Sequence, residues 1–299
     1  MANKKILITG YTGFLGKRVI DLMGKKYDIY CLIRKLKHTK FMQKSGNIHF
    51  LCALDETGQL SSYIKEIYAC IHLAAETRSS NKKKNYVSNV LLTKKVIKLC
   101  RECKAKKIIF TSSINTRFNK LEVYSKSKLE AENFIKQSGL NYIIFVPTLI
   151  YGKGDKRLTK TVNLVKKFPI IPIIGDCMAK MQPVFVDDVA VAIIKSLESN
   201  INNKVYYLGG PDSFTFNKFI GIIMKRLNIR KTQVHIPFSL VYYPAKLLSL
   251  LSDKLLINPK QILSVSQNQN GHIEKAKRDL KYNPTYFHEG LGNILTDLK

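Results

Sequence analysis

A chain of 299 residues with 45% hydrophobic and 24% charged residues holds enough apolar material for a substantial core, which excludes an intrinsically disordered protein. Fifty basic residues against 21 acidic ones leave a formal net charge of +29, which raises a nucleic-acid or anionic-membrane surface as a function class. The excess is nearly all lysine scattered along the chain, with only nine arginines to fork onto phosphates or guanine edges, so lysine drift outweighs nucleic acid as a partner.

The opening Met1-Ala2-Asn3-Lys4-Lys5 leads into an apolar run of only Ile6-Leu7-Ile8, too brief for a signal-peptide core. No stretch reaches the roughly 20 apolar residues of a membrane span, and a cytoplasmic protein is expected. Of the six cysteines, Cys31, Cys52, Cys70, Cys100, Cys103 and Cys177, most lie in apolar runs as small hydrophobes. Cys100 and Cys103 form a CxxC within a helical pattern, but no second ligand pair completes a zinc site, and no metal is expected.

Lys4–Thr9 is predicted as a buried strand and Phe14–Met23 as the helix that follows it. Between them stands Gly10-Tyr11-Thr12-Gly13-Phe14-Leu15-Gly16, glycines at the spacing of a dinucleotide cradle directly after a strand and opening a helix. Gly10 permits the tight turn, Gly13 lets the backbone approach a pyrophosphate, and Gly16 allows close helix–strand packing. The N–H groups and positive dipole end of the helix then face the phosphates. The second strand, Tyr27–Ile33, is followed by Arg34 and Lys35 rather than by an acidic residue that would bond a ribose 2′-hydroxyl. Arg34 suits a 2′-phosphate, so NADP(H) is favoured over NAD.

Strands are expected at Ile48–Ala53, Tyr68–Ala74, Lys107–Ser112 and Tyr142–Val146, and helices at Tyr86–Cys103 and Lys126–Gln137, the latter stopped by Ser138-Gly139. Strands alternating with helices predict an α/β fold: a Rossmann-type, doubly wound parallel sheet. Tyr124 and Lys128 stand four residues apart, on one helix face. A tyrosine ionises near pH 10, and a neighbouring ammonium lowers that value enough for acid–base work at neutrality. Ser112 and Ser113, ending the preceding strand, are placed to hydrogen-bond the same substrate oxygen.

Beyond Pro147 a strand at Pro183–Val186, a helix at Asp188–Ser196 and a strand at Lys204–Leu208 are expected to return to the sheet. The predicted organisation is a Rossmann domain over 1–150, rejoined by 181–208, and a smaller C-terminal substrate lobe over 151–180 and 209–299. Residues Ile236–Ile257 carry an apolar face that suits a membrane surface, but packing of a helix on the lobe is the favoured reading.

Together these elements resemble the extended and atypical short-chain dehydrogenase/reductase superfamily, the NAD-dependent epimerase/dehydratase group with its NDUFA9-like relatives, over nearly the whole chain. Thr9 to Gly16 matches its TGxxGxxG, His72-Leu73-Ala74-Ala75 its HxAA, and Tyr124 with Lys128 its YxxxK. Asn89-Val90 matches the helix supporting the HxAA segment, Tyr142–Asp155 resembles RPxxxYGxGD, and Val184 to Ala190 matches VxVDDVA. The resemblance implies cofactor contacts from Asp55, Leu73, Ala74, Ala75, Tyr124, Lys128 and Pro147. It implies Ser113 as oxygen orienter, Tyr124 as acid/base, and Lys128 as its pKa-lowering partner and ribose anchor. The chain departs from the pattern in three places. Val146 replaces an arginine, Thr116-Arg117-Phe118 stands in place of VYG, and only ten residues separate Ser113 from Tyr124. The expected function is an oxidoreductase or epimerase using NADP, with NAD the other candidate. Its small-molecule substrate would be a secondary alcohol or ketone, foremost on a nucleotide-activated sugar. The alternative is an NADPH-binding structural or regulatory subunit without turnover. A homodimer through paired helices is implied by the resemblance alone.

Overall fold

A computed structural model describes residues 3–33, 46–52, 64, 66–77, 79–175, 178–248 and 267–295. They divide into two compact units: Met1–Pro147 with Val186–Leu208 and Ile273–Tyr282, and Thr148–Phe185 with Gly209–His272 and Asn283–Lys299.

The first unit opens with β1 (Lys4–Thr9), α1 (Phe14–Met23), β2 (Tyr27–Ile33), β3 (Ile48–Cys52) and β4 (Ala69–His72). A helical stretch follows in three parts: α2 (Lys82–Asn85), a π-helical segment (Tyr86–Leu91) and α3 (Leu92–Glu102). Next come β5 (Lys107–Thr111), a 3-10 turn (Ile114–Arg117), α4 (Val123–Lys136) and β6 (Tyr142–Pro147). Apolar runs such as Ile6-Leu7-Ile8 and Ile108-Ile109-Phe110 are fully buried, as strands of a parallel sheet covered on both faces must be. Helix α4 ends where the sequence puts its stop, at Gly139 with φ +72°.

In the second unit lie β7 (Leu149–Tyr151), α5 (Lys156–Lys167), β8 (Ile170–Ile174), β9 (Lys180–Met181) and β10 (Pro183–Phe185). The chain re-enters the first unit with α6 (Val186–Glu198) and β11 (Lys204–Leu208), then continues in the second through β12 (Phe214–Thr215), α7 (Phe216–Arg226), β13 (Thr232–Ile236) and α8 (Phe238–Leu248). Helix α9 (Glu274–Leu280) belongs to the first unit and α10 (Phe287–Leu295) to the second.

The first unit is built on a seven-stranded parallel sheet of order β11-β6-β5-β4-β1-β2-β3. Its helix α1 packs on α6, fixed by a bidentate bond from Arg18 to Asp187 at 2.6 and 2.7 Å. The second unit has its own core, in which Tyr151, Phe214, Phe219 and Phe287 pack ring against ring.

Two expectations change and a third narrows. The strand Pro183–Phe185 does not return to the large sheet. It pairs with Leu149–Tyr151 in the second unit, and only β11 rejoins, beside β6. Residues 273–282, assigned above to the lobe, belong to the first unit, where the Tyr206 hydroxyl donates to Asp279 at 2.9 Å. The stretch from Ile236 does form a helix of the second unit, but with a narrow buried face: within α8 only Ala245 is buried, with Phe238, Val241 and Tyr242 half-buried. Residues 249–266 lie outside the described residues.

Candidate active site

Strands β1 and β4 are neighbours, but the chain runs outward from β1 through β2 to β3 before crossing back to β4. The sheet order therefore reverses between them. Ligands of open α/β sheets bind at such a reversal, beyond the carboxyl ends of the strands. The Gly10–Gly16 loop leaves the carboxyl end of β1, and Leu73–Ala75 leaves that of β4.

The loop has the form a dinucleotide pyrophosphate requires. Gly10 has φ +77°, and a Cβ on it would lie 2.5 Å from the Ala74 backbone nitrogen. A Cβ on Gly16 would lie 2.3 Å from the Gly10 carbonyl oxygen, because α1 starts directly against the turn. Gly13 forms the N-cap of α1 with no side-chain capping bond, and no acidic residue stands in the first turn. The free N–H groups and the dipole end of this helix are thus open to an anion. Gly16→Ala is expected to cost about 1–3 kcal/mol through overpacking and to weaken dinucleotide binding, read by denaturant unfolding and by fluorescence titration.

Behind the loop a buried chain of polar groups crosses the sheet. Thr93 donates to the Asn89 carbonyl at 2.5 Å and lies 2.9 Å from His72 Nε2, while His72 Nδ1 lies 2.6 Å from Thr9 Oγ1. With the Thr93 proton committed, His72 donates from Nε2 and accepts at Nδ1 from Thr9. The Thr9 oxygen in turn accepts from the Ala74 N–H at 3.3 Å. Burial, reinforced by the Lys128 charge, pushes His72 down to about 3, so the ring is neutral and acts as a fixed spacer. It ties Thr9 and Thr93 together where β1 and β4, already paired in the ladder, end.

The π-helical segment carries Asn89, which is buried. Its Oδ1 accepts from the Glu76 N–H at 2.7 Å, and its Nδ2 donates to Ser127 Oγ at 2.8 Å. Ser127 donates to the Tyr124 carbonyl at 2.8 Å. The extra residue of a π turn re-aims a side chain, and here it links the β4 exit loop to the helix bearing Tyr124 and Lys128.

Helix α4 begins at Val123, three residues earlier than its apolar periodicity predicts, so Tyr124 lies in its first turn and is half-buried. Lys128, one turn on, is buried, with its ammonium 3.8 Å from the Phe110 ring centroid. Burial pushes this lysine down to about 7, against the opposing pull of Glu132. Ser113 is partly exposed and caps the 3-10 turn, accepting from the Asn115 N–H at 3.3 Å. Ser112 is instead buried and donates to Glu132 at 2.9 Å. Of the two serines, only Ser113 is partly exposed.

The unusual stretch before α4 has a structural explanation. Arg117 forks onto the buried Glu132 carboxylate at 2.7 and 3.0 Å and also donates to Tyr207, while Lys136 donates to Glu132 at 2.8 Å. The short loop is pinned to α4 by this cluster. Burial alone would raise the Glu132 carboxyl, but the bonds from Arg117 and Lys136 hold it below its ordinary value. Arg117→Ala strands part of a buried charge and should cost about 2–4 kcal/mol near neutrality. The depressed carboxyl contributes stability above its unfolded value and loses it on protonation. Denaturation across pH should therefore show the wild-type advantage shrinking as pH falls below about 4.

The sequence matches the NAD dependent epimerase/dehydratase family over residues 6–209. The chain belongs to that family. Among similar proteins is sterol-4-alpha-carboxylate 3-dehydrogenase, decarboxylating, of Dictyostelium discoideum, 25% identical over 97% of this chain and all of that protein. Another is the mitochondrial NADH dehydrogenase [ubiquinone] 1 alpha subcomplex subunit 9 of Arabidopsis thaliana, 33% identical over 38% of this chain and 29% of that protein. Among solved structures, UDP-glucose 4-epimerase of Thermotoga maritima with UDP-glucose superposes with a TM-score of 0.78 at 20% identity, covering 98% of each chain. Epimerase/dehydratase membership makes the chain an NAD-dependent enzyme of small molecules.

Within the first unit, Gly10, Thr12, Gly13, Phe14, Leu15 and Gly16 form the loop, Leu73, Ala74 and Ala75 leave the neighbouring strand, and Ser113 follows the end of β5. Pro147 ends β6. Arg34 and Asp55 lie outside the described residues. Sequence reasoning left Ser127, Glu132 and Arg117 without a role. Only the departure at Thr116-Arg117-Phe118 signals the last, since no periodicity announces a buried ion cluster.

Proposed function

We propose that this epimerase/dehydratase is an NADP(H)-preferring oxidoreductase or epimerase acting on a secondary alcohol or ketone, foremost of a nucleotide-activated sugar. The observation that carries the proposal is the buried Lys128 one helical turn from Tyr124, on a unit whose glycine loop sits at the sheet reversal. The nicotinamide cofactor, when bound, supplies the site that gives or takes a hydride. Backbone N–H groups of the loop and the first turn of α1 hold the pyrophosphate. Ser113 Oγ hydrogen-bonds the substrate oxygen, and the Tyr124 hydroxyl gives that oxygen a proton or takes one. The Lys128 ammonium lowers the cost of the phenolate. Arg34, next after Ile33, supports NADP(H) by its charge.

The nucleotide-sugar reading draws on the UDP-glucose of the Thermotoga epimerase. A second reading, oxidation of a sterol carboxylate, is favoured by the Dictyostelium relative, which this chain matches end to end. One panel separates them: UDP-glucose and a 4α-carboxysterol, each offered with NADP+ and with NAD+, followed by nicotinamide absorbance and by chromatography of the product. An epimer without net cofactor reduction supports the sugar reading, and stoichiometric reduction with the sterol supports the second. Tight NADPH binding with no turnover of either substrate would instead favour a non-catalytic subunit.

A further inference from the structure

We propose that the second unit docks onto an anionic lipid surface through α8 and the adjoining outer face of the β8–β13 pair. This goes beyond the catalytic reading and does not depend on it. In α8 the side chains of Leu240, Tyr243 and Leu247 are 67%, 65% and 66% exposed. With Pro244 they fall at i, i+3, i+4 and i+7, so they form one stripe, opposite the face that buries Ala245.

A second exposed apolar group lies on the two-stranded sheet that precedes α8. Strand β8 alternates, turning Ile171 and Ile173 inward and leaving Ile170 and Pro172 outside. Val234 of β13 stands opposite Pro172 in the parallel register and is exposed as well. Gly175, just past β8, donates to the Ile236 carbonyl at 2.8 Å, which brings the end of the sheet to the start of α8. Single exposed apolar residues need no explanation, but two apolar groups on elements tied together in this way mark an interaction surface.

Charge selects the occupant. Residues 156–175 and 225–248, which supply α5, β8, β13 and α8, contain ten lysines and arginines and not one aspartate or glutamate. A second copy of the chain in a two-fold contact would bring the same cations against themselves, with Asp155 beside Arg157 the carboxylate paired to one of them. An apolar stripe in basic surroundings matches a bilayer surface bearing anionic headgroups, with leucines and tyrosine entering the interface and lysines meeting the phosphates. No helix among the described residues is long and apolar enough to cross a membrane, so the contact lies on the surface.

The chain contains no tryptophan, so Tyr243→Trp places a lone indole reporter on the stripe. Vesicles of phosphatidylcholine with phosphatidylserine should shift its emission to the blue and sediment the protein, with binding that weakens as salt rises. Vesicles of phosphatidylcholine alone should bind far less. Leu240→Asp with Leu247→Asp should lower binding at least ~10-fold at an unchanged melting temperature, and Lys166→Glu with Lys167→Glu should weaken it and flatten its salt dependence. The proposal is overturned if the wild-type chain ignores the anionic vesicles or if the indole emission does not move on binding. It is equally overturned if the aspartate pair binds as well as the parent, since net charge alone would then hold the protein. A dimer in solution that the aspartate pair dissolves would assign the face to a second copy instead.

Discussion

Tyr124→Phe is expected to leave dinucleotide affinity within about twofold of wild type while lowering turnover by at least the ~100-fold typical of removing a general acid–base group. The substitution keeps the ring and deletes only the hydroxyl, so the first turn of α4 should persist, anchored by the Ser127 bond to the Tyr124 carbonyl. The loss should appear in kcat, because the proton moves only as the substrate oxygen changes charge. Cofactor titration beside steady-state kinetics checks both halves. A variant retaining near-normal kcat would remove Tyr124 from the mechanism.

Lys128→Met should have two effects of opposite sign. Activity should fall at least ~100-fold, the loss expected on removing the charge proposed to support the Tyr124 phenolate. The cofactor-free protein, by contrast, should become more stable. An ammonium buried against Phe110 is held down to about 7 by burial, while the unfolded chain binds that proton at an ordinary lysine value. The native state therefore carries a penalty, on the order of a few kcal/mol, that is complete below about pH 7. It fades as pH climbs from 7 towards 10, where the unfolded lysine also loses its proton. Methionine keeps most of the length and removes the charge. The gap in melting temperature between variant and wild type should thus be widest at neutral and lower pH and close towards pH 10. A gap that stays flat across that range would show that Lys128 carries no such strain. This is the pattern expected where a site holds an unfavourable group for its chemistry.

The parts of the fold carried by local rules were legible in the sequence. The glycine loop is announced by Gly10, Gly13 and Gly16 after an apolar strand, and the βαβ alternation predicts the parallel sheet. The cysteines read as core residues are so placed where described: Cys31, Cys70, Cys100 and Cys103 are buried and free. What escaped depends on partners distant in sequence. Nothing local tells Pro183–Phe185 to pair with Leu149–Tyr151 rather than to rejoin the large sheet. The π segment at Tyr86–Leu91 breaks the 3.6-residue period only slightly. The bonds that Asn89 makes from it, to Glu76 and Ser127, span 13 and 38 residues. Arg117 could be noticed as a departure but not given a purpose until Glu132 stood beside it. Helix α8 shows a further limit. Its apolar stripe is legible, but a stripe does not say whether it faces protein or something else.

The salt bridge between Arg18 and Asp187 has a consequence for how the molecule is made. It fastens the helix that opens the dinucleotide loop to a segment synthesised about 170 residues later. The large sheet is likewise incomplete until β11 covers the edge of β6 and α9 settles on β11. During translation the loop at residues 10–16 therefore emerges long before the elements that brace it, and the first unit cannot close until residue 282 has left the ribosome. A fragment ending at Pro147 should accordingly fail to form a stable dinucleotide-binding domain, with β6 left as an open edge prone to association. Ribosome-bound chains should acquire protease resistance in this unit only once residue 282 has emerged.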